Sequence, residues 1–268
     1  RELHLSIRRQ RQMCIRDRPT LGGGCRVIEP NEGQISREGT RRRRWTVGAA
    51  VAAARDIEQS VSQFDKGLSP GQINPTSEEV HYVSAGSGTG YVDGYGYQVK
   101  IGSAVYVAPG KECCFDTLTG DLEVVSVCCP QIRDSRFDLP ANTRPAAPGE
   151  TKPVVVVHQD KRKSIPTGDR WFKLLVDKSI GCQHVTQFLG FIPKSEAPVH
   201  HHTYEEAIYI VEGCGVLWAN GKEAPVAPGS CIYLPRQVKH SMKNLEDTPI
   251  RLMGVFHPSG SPATSYDE

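Results

Sequence analysis

The sequence predicts an all-β chain in which one barrel-sized module occurs twice. Three observations carry that expectation. The composition is rich in turn formers, with 26 Gly and 19 Pro among 268 residues and 38% hydrophobic content, as many short strands joined by tight turns require. Apolar stretches are short and often β-branched, and none is long enough to span a bilayer. The chain also repeats itself, and an internal repeat decides the fold reading before any single element does.

The repeat is legible residue by residue. Glu79-Val80-His81-Tyr82-Val83-Ser84-Ala85-Gly86 parallels Glu206 to Gly213, and Gly102-Ser103-Ala104-Val105-Tyr106-Val107-Ala108 parallels Gly229 to Pro235. One offset relates Glu79 to Glu206, Gly86 to Gly213, Gly102 to Gly229 and Cys113 to His240. Upstream, Val61-Ser62-Gln63-Phe64 is read as the counterpart of Val185-Thr186-Gln187-Phe188, and Arg44-Trp45 as that of Arg170-Trp171.

The elements follow in chain order. Met13-Cys14-Ile15-Arg16-Asp17-Arg18 resembles the translation of a transposon-derived DNA-sequencing adapter, so residues 1–18 are expected to be foreign to the fold. Residues 19–44 are Gly-, Arg- and Pro-rich and expected to be loose, which makes 1–44 a disordered or artefactual basic segment. The first module is expected over 45–133. Its first strand is read at Trp45–Ala53, although Ala49–Ala54 also has the propensity of a helical turn. Further strands are expected near 60–66, 78–84, 95–100, 103–108 and 122–129. Residues 134–168 are read as linker, with Pro140–Gly149 loop-like by composition and Val154–Val157 as a strand crossing to the partner barrel. The second module is expected over 169–258, with a tail at 259–268.

The chemistry concentrates in the second module, at His200-His201-His202-Thr203-Tyr204-Glu205-Glu206 and, after Gly229-Ser230-Cys231-Ile232-Tyr233-Leu234-Pro235, at His240 and Asn244. Alternate residues of a strand share a face, so His200 and His202 point one way and His201 the other. Glu206 has the same parity unless a turn at Thr203-Tyr204 changes it. Neutral imidazoles with one carboxylate suit a borderline divalent ion.

In their H-x-H-x3-E-x6-G and G-x5-P-x4-H-x3-N spacing these residues resemble the cupin superfamily, and the duplicated module resembles a bicupin. The resemblance implies two tandem jelly-roll barrels and one divalent transition metal in the C-terminal one. The implied ligands are His200, His202, Glu206 and His240. Mn or Fe is preferred, with Ni, Zn, Cu and Co admitted. Glu206 is also the candidate catalytic base. The first module has Ile73 and Pro75 where His200 and His202 stand and Cys113 where His240 stands, so it is expected to be a metal-free scaffold. A separate ligand pocket, or Cys113-Cys114 as a redox or metal pair, is the alternative. Gln237 and Lys194 stand where the family has glycines. His184 and His257 are further candidates near the barrel mouth.

Charge narrows the partners. Residues 1–44 hold 12 Arg and five acids, a net +7, which leaves −5 for the rest of a chain whose formal charge is +2. An acidic body without a helix-turn-helix pattern argues against nucleic acid. Nine cysteines without framework spacing point to a reducing cytoplasm. The expected partner is a small-molecule substrate, with no nucleic acid and no membrane, and homo-oligomerisation is left open. The reaction favoured is that of a dioxygenase-like oxidoreductase. The alternatives are a metal-dependent hydrolase or lyase resembling ureidoglycine aminohydrolase, and a non-catalytic small-molecule-binding or polyketide-pathway accessory cupin.

Overall fold

The computed structural model of the protein describes residues 21–131, 134–144 and 150–263. The expectation for residues 1–18 and part of the linker lie outside them. Each half of the chain forms a large sheet closed by a smaller one. In the first half, a seven-stranded sheet has the order 156–158, 103–107, 78–85, 122–129, 58–64, 41–47, 34–38, and a six-stranded sheet carries 136–139, 71–73, 112–117, 87–92 and 95–100 with 67–68 on its side. In the second half, a seven-stranded sheet has the order 26–28, 231–234, 205–212, 250–257, 186–192, 170–176, 165–167, closed by the three strands 222–226, 215–219 and 240–243. The described chain is nearly all β, in tandem jelly-roll barrels, and among the described residues no helix is long and apolar enough to cross a membrane.

The two large sheets face each other over one apolar core, to which Val80, Tyr82, Val125 and Val127 come from the first barrel and Leu189, Ala207, Met253 and Val255 from the second. Each barrel has a second core inside it, around Phe115 and Val124 in the first and Phe188 and Phe256 in the second. Central strands are therefore buried on both faces, and Glu78–Ala85, Leu122–Cys129 and Glu205–Glu212 lack the in-out alternation of a half-exposed strand. The closing glycine of the repeated motif has a steric cause. Gly86 and Gly213 have positive φ, and a Cβ there would approach Asp121 O and Pro249 O to 2.5 and 2.6 Å.

Edge strands are exchanged between the barrels. Arg26–Ile28, from the head of the first module, pairs antiparallel with Cys231–Leu234 of the second barrel. Val156–His158, from the head of the second module, pairs antiparallel with Ser103–Val107 of the first. The exchange is reciprocal, and each barrel's outer edge is covered by a strand of the other module.

The structure corrects four expectations. Residues 26–47 are not loose but hold three strands, because Arg41 and Arg43 alternate inward onto buried acceptors while Arg42 and Arg44 face out. The run after Val47 is a short helix, Ala49–Ala52, rather than a continued strand. The upstream repeat alignment slips. Glu58–Cys128 and Thr186–Phe256 are equivalent strand pairs, so Gln59 matches Gln187 and Ser60 matches Phe188, and the shared Gln-Phe dipeptide is coincidental. The bulges after Trp45 and Leu174 then align, which matches Trp45 with Leu174 and Arg41 with Arg170. Finally, Cys113 pairs with Gln72 as His240 pairs with His200, so Gln72 and Asn74, not Ile73 and Pro75, occupy the places of His200 and His202.

Candidate metal centre

The second barrel brings three imidazoles to one point. An isolated antiparallel bridge joins His200 to His240, with His200 N–H donating to His240 O at 3.0 Å and the reverse bond at 2.8 Å. One ligand atom from each of His200, His202 and His240 lies within 4.8 Å of the others. Glu206, on the strand Glu205–Glu212, places its Oε2 3.7 Å from His202 Nε2.

The protonation states suit a cation. His200 Nδ1 donates to Pro198 O at 2.9 Å and His240 Nδ1 to Val238 O at 2.8 Å, which leaves the lone pair of each neutral ring on Nε2. Burial, with the neighbouring imidazoles His240 and His200, pushes His202 down to about 2. Burial, with His200, pushes His240 down to about 4. Both rings are thus neutral donors at ordinary pH. His202 Nδ1 is buried with no hydrogen-bond partner, and burial pushes the Glu206 carboxyl up to about 8. Three clustered imidazoles beside a buried carboxyl whose negative charge burial opposes form a donor set that fits a divalent ion.

The cluster opens into a cavity of about 330 Å³, walled mainly by Phe172, Phe188, Ile208, Leu234, Met242 and Phe256, with Thr167 and Arg170 at one end of the lining strands. Tyr204 stacks on His202, 4.7 Å between centroids, and donates to Ser261 O, so the segment after Pro258 packs against the cluster. Gly254 is required by close approach, since a Cβ there would lie 2.4 Å from the Phe188 ring and 3.1 Å from Glu206 Oε1.

The equivalent place in the first barrel is filled by protein. Glu79 is buried and accepts from Gln72 Nε2 and Asn74 Nδ2, while the Arg41 and Arg43 guanidiniums both donate to Gln72 Oε1, at 2.7 and 2.6 Å. Burial pushes the Glu79 carboxyl up, and Arg43 opposes the shift. Fixed guanidiniums and amides thus oppose the burial of Glu79, whereas the Glu206 carboxyl is shifted by burial. Burial, then Glu79, raises the Cys113 thiol well above its ordinary value, and Cys113 and Cys114 point to opposite faces of their strand, so they form no chelating pair.

The remaining candidates are structural. His257 Nδ1 bonds His184 O at 3.2 Å, and neither residue lines the cavity. Asn244 ties a turn through Ile192 O and Thr248 O. Gln237 has φ +61, the left-handed conformation that a glycine adopts without strain. Sequence reasoning missed Arg170 as a cavity residue. Its signal was the repeat itself, hidden by the slipped alignment.

Comparisons with known proteins agree with this geometry. A family profile described as the cupin domain matches residues 188–256. An Aquifex aeolicus protein without an assigned function is 28% identical over 76 residues, covering 28% of this chain and 62% of that protein. A Methanocaldococcus jannaschii protein is 31% identical over 58 residues, covering 22% and 46%. The matches thus span under two thirds of either relative. An L-ectoine synthase of Mycolicibacterium gilvum is 31% identical over 97 residues, covering 35% of this chain and 72% of that enzyme. Among solved structures, a variant of the Bacillus subtilis oxalate decarboxylase superposes with a TM-score of 0.75 at 12% identity, covering 93% of this chain and 81% of that one. The same enzyme at acid pH gives a TM-score of 0.72 at 13% identity, covering 91% and 79%. At such identity the likeness concerns the fold.

Proposed function

Since this chain belongs to the cupin superfamily, with two barrels and an imidazole cluster in the second, we propose that it is a metal-dependent enzyme acting on a small organic molecule in the cavity of that barrel. His200, His202, His240 and Glu206 would hold one divalent ion, with Mn or Fe preferred. The observation that carries the reading is the cluster of His200, His202 and His240 lining an apolar cavity, with Glu206 Oε2 3.7 Å from His202 Nε2. When bound, the ion supplies Lewis-acid or redox chemistry to a substrate beside it.

The residues of the chain do the rest. Pro198 O and Val238 O fix the orientation and tautomer of two rings. The Phe172, Phe188 and Phe256 walls exclude water from the reacting end. On leaving the ion, Glu206 would act as the base at the substrate. The dioxygenase-like reading comes first, since an imidazole-rich site with dry walls suits oxygen chemistry. A lyase reading is favoured by the likeness to an L-ectoine synthase and to the oxalate decarboxylase fold, whose Mn(II) centres have been characterised.

Elemental analysis of purified protein, followed by candidate turnover with an oxygen electrode and carbon dioxide detection, tests both. Oxygen uptake with redox-active metal supports the first reading, and carbon dioxide release or dehydration without oxygen the second. Protein that takes up no divalent ion refutes the proposal.

A further inference from the structure

The twin barrel shows what belongs at the mouth of the cavity. Arg41 and Arg170 occupy the same strand position by register, each two residues before an inward side chain, Arg43 or Phe172. Their cross-strand partners are also equivalent, Glu38 opposite Arg41 and Thr167 opposite Arg170. In the first barrel the guanidinium is fully supplied with acceptors. Arg41 Nε donates to the Glu38 carboxylate at 3.1 Å, and its Nη groups donate to Gln72 Oε1 and Phe137 O. In the second barrel the carboxylate position is Thr167, and among the described residues Arg170 is held through Nε, by its half-exposed neighbour Asp169 at 3.0 Å. Both Thr167 and Arg170 line the cavity, and Arg170 is the one permanently cationic side chain among its described lining residues.

We infer that the substrate is a small carboxylate with an apolar body, whose carboxylate docks on the Nη groups of Arg170, which in the first barrel meet Gln72 and Phe137 O, while its apolar part lies between the Phe172, Phe188 and Phe256 walls. The inference rests on the reading of this cavity as the active site, and it names the substrate class. Arg presents paired N–H donors that match a carboxylate, and a charge entering an apolar cavity requires such a partner. The cavity volume and its aromatic walls favour an acid larger and less polar than a two-carbon diacid. Arg170 is a binding residue in this scheme and takes no part in bond making.

The test is calorimetric titration with benzoate, benzyl alcohol and oxalate, on metal-free and on Mn(II)-loaded protein. Benzoate is expected to bind both forms. Arg170→Gln should weaken benzoate by about tenfold or more, the worth of a charge-assisted hydrogen bond, and leave benzyl alcohol and Mn(II) content unchanged. Thr167→Glu, which restores the internal partner seen in the first barrel, should weaken benzoate similarly, while Arg170→Lys should keep part of the affinity. Four results would overturn the inference: no benzoate binding, benzoate affinity indifferent to Arg170→Gln, benzyl alcohol weakened as much as benzoate, or oxalate binding metal-free protein as tightly as benzoate. If Mn(II) is not retained but Arg170-dependent benzoate binding persists, the metal reading fails and this one stands. Should Arg170→Gln melt early, Thr167→Glu carries the same test with the guanidinium in place.

Discussion

Glu78 and Glu205, equivalent residues of the repeat, latch the two barrels together in the same way. Glu78 accepts the backbone N–H groups of Gln183 and His184 at 2.8 Å each and the Tyr106 hydroxyl at 2.9 Å. Glu205 accepts those of Arg55, Asp56 and Ile57 at 2.9 to 3.2 Å and the Tyr233 hydroxyl at 2.6 Å. Each carboxylate thus holds the loop that leads into an inner strand of the other barrel. Each also precedes a buried inward carboxylate, Glu79 or Glu206, so adjacent acids serve the interface and the barrel interior by strand parity.

Loss of a latch should be felt in stability. Glu78→Gln and Glu205→Gln are each expected to cost about 2–3 kcal/mol, because the amide replaces one of the two accepting oxygens with a donor and leaves backbone N–H groups without an acceptor. Burial pushes the Glu78 carboxyl up, but the N–H groups of Gln183 and His184 and the Tyr106 hydroxyl outweigh it and hold it below its ordinary value. With the folded value below the unfolded one, the stabilisation is present above the unfolded Glu range, about 4.3, and is lost as pH falls through the folded value. Urea unfolding between pH 3 and 7, taken as roughly spanning that range, should show a shallower acid limb in Glu78→Gln. An unchanged limb would contradict the latch.

Metal retention should follow the imidazoles of one barrel only. His202→Ala is expected to abolish stoichiometric metal, whereas Cys113→Ala, at the matching strand position of the first barrel, should leave metal content unchanged. Elemental analysis decides it, and metal lost from the Cys113 variant would mean that the first barrel takes part.

Crowding at Gly254 should act on the site from behind. Gly254→Ala places a methyl against the Phe188 ring and Glu206. Overpacking of this kind costs about 1–3 kcal/mol. The melting temperature should fall and metal affinity weaken together. A variant with native stability and native affinity would show that the barrel wall yields freely.

The first barrel's ion-compensating network should be strongly coupled. Arg43→Met leaves Glu79 buried without its guanidinium, a change that costs about 3–5 kcal/mol, and adding Glu79→Gln should recover a large part of it. Denaturant unfolding of the two single variants and the double variant gives the coupling. Additive losses would show that the two groups do not sense each other.

Much of this was legible in the chain. The H-x-H-x3-E spacing and the distant His240 name a cluster that a closed barrel brings together, and the repeat from Glu79 to Cys113 names its twin. Other features were hidden for physical reasons. The Arg41–Arg44 run reads as a solvated charge block, because sequence cannot show that alternate guanidiniums meet Gln72 and Phe137 O inside a barrel. Gln72 and Asn74 were passed over because loop lengths shift the repeat offset by one residue upstream of Glu79. Glu78 and Glu205 look like surface acids until a second barrel buries them.

The reciprocal trade of Arg26–Ile28 and Val156–His158 has a further consequence. Neither half is a self-sufficient unit, because excising one would strip the other of an outer strand and bare a row of unpaired amides and carbonyls. Severing the peptide between them would not release them either. Like clasped hands, the two lobes would have to open before they could part, so the architecture behaves mechanically as an interlocked pair that happens to share one backbone.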